Sequence, residues 1–111
     1  MNKNTLSTYE KSITQQIKKV VKSIVPESEI ILFDSRARKT AKEDSDWDFL
    51  ILLPTNVEPS VKRKIKDLLY DVELETDSVI SCIIRTKEEW HSKKFMNVPL
   101  RHEIQRDGIS L

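Results

Sequence analysis

Two carboxylates one residue apart, Asp46 and Asp48, stand at the head of an apolar run, Trp47-Asp48-Phe49-Leu50-Ile51-Leu52-Leu53, which reads as a strand stopped by Pro54. Side chains alternate along a strand, so both acids point to one side while Trp47 points to the other, toward a core. Like charges held this close repel each other unless a cation lies between them. Oxygen donors of this kind suit Mg2+ or Mn2+. Asp-x-Asp alone is common by chance, and the competing reading is a pair of ordinary turn and strand-edge residues.

The residues upstream supply the opposite charge. Ser35, Arg36, Arg38 and Lys39 follow a short apolar segment, Glu29–Phe33, that reads as a buried strand. With a net charge of only +1 on the whole chain, any anion-binding site would have to be a local cluster of this kind. The alternative is a solvated basic turn balanced by Glu43 and Asp44.

Around this segment the chain supplies a frame. Ser7-Thr8-Tyr9-Glu10 reads as a capping box. Tyr9, Ile13, Ile17, Val20, Val21 and Ile24 then recur at helical spacing and end before Pro26. Pro59 opens a second helix carrying Val61, Ile65, Leu68, Leu69 and Val72, and Val79–Arg85 is a third strand. Thr86-Lys87-Glu88-Glu89 is another capping box before Trp90. Pro99 suits the first turn of a last helix and Gly108 the position just past its end. Ile109-Ser110-Leu111 would add a short strand or simply dock. The expected order is helix, strand, strand, helix, strand, helix, helix, in one domain over 1–111.

The totals narrow the function. The chain has 111 residues, with 38% hydrophobic and 33% charged, and a net charge of +1, so no global field draws it to nucleic acid or an anionic membrane. The lone glycine, Gly108, excludes a glycine-rich phosphate loop and hence P-loop and dinucleotide-binding readings. The one cysteine, Cys82, lies in an apolar run and reads as a buried thiol in a reducing compartment. His91 and His102 have no partners at zinc-ligand spacing. No segment reaches the ~20 apolar residues that span a bilayer, and no hydrophobic signal region follows Met1, so a cytoplasmic location is expected.

The run from Ile30 to Ile51 resembles the signature of minimal nucleotidyltransferases of the polymerase-β-like superfamily. There a strand leads into Gly-Ser, Arg-Ala-Arg-Gly, a variable loop, and Ser-Asp-x-Asp before a hydrophobic strand. Ser35, Arg36, Ala37, Arg38, Ala41, Ser45, Asp46 and Asp48 match in kind and spacing. The resemblance is close over about a fifth of the chain. It is looser beyond, where the element order and Lys87-Glu88-Glu89-Trp90 also look like small bacterial members. It implies an α/β (α+β) fold with a small mixed sheet packed by helices.

The same resemblance implies Asp46 and Asp48 as catalytic metal ligands, with Ser35, Arg36, Arg38 and Lys39 binding a nucleoside triphosphate. The implied reaction moves AMP from ATP to a hydroxyl. The acceptor surface would come from a small helical partner protein or a second copy, since small members often act as antitoxins of a helical toxin. Three departures stand out. Asp34 replaces the glycine before Ser35 and adds a side chain and a negative charge beside a polyanion. Lys39 replaces the later glycine. The strand Val79–Arg85 carries no third carboxylate: Ser81 stands about where one is expected, and Asp77, Glu73 or Glu75 would have to reach in. These departures motivate an alternative function, a catalytically impaired module that keeps the fold and the partner-binding surface.

Overall fold

A computed structural model describes residues 6–38 and 46–111. Helix α1 spans Thr8–Ile24 and begins at the expected capping box: the Ser7 side chain accepts from the Glu10 amide, and Glu10 accepts from the Ser7 amide. Strand β1 (Glu29–Phe33) leads through Asp34 into a four-residue helix, α2 (Ser35–Arg38). Strand β2 (Trp47–Leu53), helix α3 (Pro59–Thr76) and strand β3 (Ile80–Thr86) follow. The remaining elements are α4 (Lys87–Trp90), α5 (Lys93–Met96), α6 (Pro99–Asp107) and β4 (Ile109–Ser110).

The four strands form one mixed sheet in the order β3-β2-β1-β4. β1 runs antiparallel to β2 and β4, whereas β2 and β3 are parallel, joined by the α3 crossover. Alternation along the strands divides the core in two. On one face Ile30, Leu32, Trp47, Phe49, Ile51 and Leu53 pack with Ile13, Ile17 and Val21 of α1 and Ile65, Leu69 and Val72 of α3. On the other, Ile31, Phe33, Leu50 and Leu52 pack with Trp90 and Ile104. β2 is apolar on both faces because helices cover both.

Most expected elements appear within a residue of their expected bounds. β3 starts and ends one residue later than read, at Ile80 and Thr86. The short helices α2 and α5 were not expected, and the terminal segment is a strand paired with β1. Tyr9, read as part of the α1 core stripe, is exposed. Gly108 does lie just past α6, but its φ of −63° needs no left-handed freedom. Glycine fits there because a Cβ would stand 2.5 Å from the Ile104 carbonyl oxygen and 2.8 Å from Ile31 Cγ2.

Candidate functional site

The register of the sheet assembles the site. Phe33, the last residue of β1, pairs with Asp48 on β2, and Asp48 pairs with Ser81 on β3. The turn that opens at Asp34 therefore starts beside Asp48. Trp47 is 1% exposed on the α1–α3 face, so Asp48 projects from the other side of the sheet, with Leu50 and Leu52 beyond it. Asp46 precedes the strand and is exposed; Asp48 is half-buried.

The three neighbouring acids interact. Burial pushes the Asp48 carboxyl above its usual range; the charges of Asp34 and Asp46, and a hydrogen bond shared with Asp34, push it further. A carboxylate beside two others is an electrostatic debt that a divalent cation settles. Asp34 owes its place to its backbone. Its φ is 65°, in the left-handed region where glycine is at ease and aspartate is tolerated at some strain. The glycine expected here thus serves the turn as well as the approach of a phosphate. The acid that replaces it turns toward Asp48 rather than standing apart from it.

The other expected residues divide. Ser35 and Arg38 are placed by their backbone in α2, at the turn beside Asp48. Lys39 lies outside the described residues, as do Ala41, Glu43, Asp44 and Ser45. Arg36 points into the α1 face: its guanidinium lies 4.2 Å from the centre of the Trp47 ring and 4.0 Å from a Glu10 carboxylate oxygen, with 7% of its side chain exposed. That placement anchors α2 against the sheet. Ser81 sits across from Asp48 on β3. Glu73 instead accepts the Ile80 amide at 2.9 Å, and Asp77 caps α3 with a left-handed φ of 52°. Glu75 is exposed on the last turns of α3.

Among the described residues no group of three or more His, Cys, Asp or Glu is arranged as a ready metal cage. The donor chemistry still fits Mg2+, which keeps several waters and needs only one or two carboxylates besides substrate phosphates.

A nucleotidyltransferase-domain family model matches residues 14–104, which includes β1, the Asp34 turn and the Asp46/Asp48 pair. The chain belongs to the nucleotidyltransferase domain family. No curated protein matches it. Among solved structures, a toxin–antitoxin complex with AMP-PNP is similar at TM-score 0.61 and 18% identity, over 86% of this chain and 69% of that one. A variant MntA–HpeT toxin–antitoxin complex gives 0.60 and 15%, over 86% and 69%. A tri-AMPylated Shewanella oneidensis HEPN toxin in complex with MNT antitoxin gives 0.57 and 15%, over 90% and 69%. At such identities the likeness is one of fold, and the mixed sheet packed by helices agrees with it.

Sequence reasoning missed two features. Neither sequence reading of Arg36 and Arg38, phosphate ligands or a solvated basic turn, includes the burial of Arg36 on Trp47 beside Ala37, which is 2% exposed. The sequence presents Asp34 as a charge beside a polyanion unless it pairs with Arg36 or Arg38 or turns away. That a left-handed turn would aim its carboxyl at Asp48 has no signature in the residue order.

Proposed function

We infer that this nucleotidyltransferase-family protein binds a nucleoside triphosphate with Mg2+ or Mn2+ and transfers a nucleoside monophosphate, AMP from ATP, to a hydroxyl on a partner protein. The observation that carries this reading is the acid cluster of Asp34, Asp46 and Asp48 at the mouth of the turn into α2. Asp46 and Asp48 would hold the metal, which when bound lowers the pKa of an acceptor hydroxyl and neutralises charge on the triphosphate. The Ser35 hydroxyl and amide, with the Arg38 and Lys39 cations, would receive the β- and γ-phosphates. Arg36 would hold α2 in place for them. Protein AMPylation is favoured as the outcome because structurally similar complexes include an AMP-PNP complex and a tri-AMPylated toxin.

A second reading has its own support. Ser81, not an acid, stands across from Asp48. The third acid of the cluster, Asp34, comes from the phosphate turn and brings negative charge toward the nucleotide. Both features suit a module that binds a helical partner without turnover. Calorimetry with ATP and Mg2+, followed by a pyrophosphate-release assay with the partner, separates the two. The enzyme reading expects metal-dependent binding and release that Asp46→Asn abolishes. Neutralisation of the partner by an Asp46→Asn, Asp48→Asn variant as well as by the parent, with no pyrophosphate from either, establishes the module instead.

A further inference from the structure

Helix α3 has two apolar sides. Ile65, Leu69 and Val72 face the core. Tyr70 and Leu74, four residues apart, stand on the opposite side and are 57% and 65% exposed. At 100° per residue, Arg63, Lys66 and Asp67 share that outer stripe, and Asp77 continues it past the helix end. Set one helical turn apart, the two side chains form one small apolar patch on the solvent side.

The charges on α3 are segregated, and against the helix dipole. Lys62, Arg63, Lys64 and Lys66 fill the N-terminal half; Asp67, Asp71, Glu73 and Glu75 fill the C-terminal half, with Asp77 at the cap. The first turn holds no acid and the last turn no base. Cations near a helix N-terminus and anions near its C-terminus destabilise an isolated helix. An antiparallel neighbour carrying the same order of charge reverses that disadvantage, because each basic half then meets an acidic half. The only sequence certain to have that order is α3 itself.

We propose that a second copy of this chain docks here, α3 against α3 about a two-fold axis near Tyr70. The two helices run antiparallel, with Tyr70 and Leu74 at the centre and Arg63 of each copy meeting Asp77 of the other, each seven residues from Tyr70. A two-fold contact of this kind is self-complementary by construction. The neighbouring edge of the sheet does not compete for it. Glu73 takes the Ile80 amide, and the Arg85 guanidinium donates to the Ile84 carbonyl at 2.8 Å, so side chains of the chain itself block both ends of the β3 edge.

Sedimentation of the full chain alone, at about 100 μM where even a weak interface is populated, should give twice the 13.0 kDa chain mass. Tyr70→Glu should weaken the dimer about tenfold or more without changing the melting profile of the fold. Two further variants test the charge order. Arg63→Glu with Lys66→Glu makes the charges of the outer stripe all acidic, and Asp67→Lys with Asp77→Lys makes them all basic. Each alone should be monomeric, and an equal mixture should dimerise. A monomeric parent, a Tyr70→Glu protein that stays dimeric, or a mixture that stays monomeric overturns the proposal. A monomeric parent whose complex with a helical partner is lost in Tyr70→Glu assigns the stripe to that partner instead.

Discussion

Replacing Arg36 by methionine tests whether the first arginine of the motif serves the fold or the nucleotide. Methionine keeps most of the buried stem and removes the charge. In the parent the guanidinium lies 4.2 Å from the Trp47 ring centre, and its side chain is 7% exposed. A desolvated cation–π contact of this kind contributes roughly 1–2 kcal/mol. The Glu10 contact is at 4.0 Å, the far limit of an ion pair, but with 7% and 13% of the two side chains exposed its loss leaves a buried carboxylate without this cation and adds to the cost. The sum is at least about 2 kcal/mol, which for a chain of this size lowers the melting temperature by roughly 8 °C or more.

Thermal denaturation without nucleotide reads the effect directly. Arg36→Lys should recover little of the loss, because a compact ammonium stacks poorly on an indole. Trp47→Leu combined with Arg36→Met should cost less than the two single changes added, by about 1 kcal/mol. The reasoning fails if Arg36→Met melts within about 0.5 kcal/mol of the parent while its affinity for ATP and Mg2+ falls sharply. That pattern would return Arg36 to the phosphates.

The acid cluster predicts an unusual pH dependence. The Asp48 carboxyl is raised from its ordinary 3.8 in the folded protein, so the folded state holds its proton more tightly than the unfolded chain. The stability this contributes is fully present below pH 3.8 and is lost as pH rises through the folded-state value. Asp48→Asn should therefore melt higher than the parent at neutral pH, with the difference shrinking toward acid, and Mg2+ should raise the parent's melting temperature but not that of the variant. A parent–variant difference that is flat with pH would refute this. Gly108→Ala should destabilise by about 2 kcal/mol, since overpacking against the Ile104 carbonyl outweighs the entropy gained in the unfolded chain; a melt at or above the parent's would refute the close-contact account.

The long elements were legible because their signals are local. Capping boxes at Ser7 and Thr86, Pro26 and Pro54 as stops, and β-branched runs at Ile30 and Ile80 each depend on neighbours in sequence. The helices α2 and α5 have four residues each, too few for an apolar period, and α2 is held by Trp47, eleven residues away from Arg36. The family pattern puts a third acid about where Ser81 stands in the third strand, and the β2–β3 register sets Ser81 across from Asp48. The apolar outer face of α3 was hidden for a different reason. Tyr70 and Leu74 sit among charged residues, and a search for one core stripe passes over a second.

Asp34 joins the two halves of the argument. A glycine would serve the left-handed turn at no steric cost and leave room for phosphate; aspartate accepts strain at φ 65° and adds a third acid to a pair already in conflict. Asp34→Asn and Asp34→Gly separate these contributions. If charge alone weakens the phosphate cradle, both should tighten ATP binding equally in the presence of Mg2+. If the Cβ and the turn matter as well, only glycine should do so fully. If Asp34 instead helps hold the metal, both substitutions should weaken Mg2+-dependent binding. That last result would make the departure from the family pattern a relocation of the missing third carboxylate from β3 to the turn after β1.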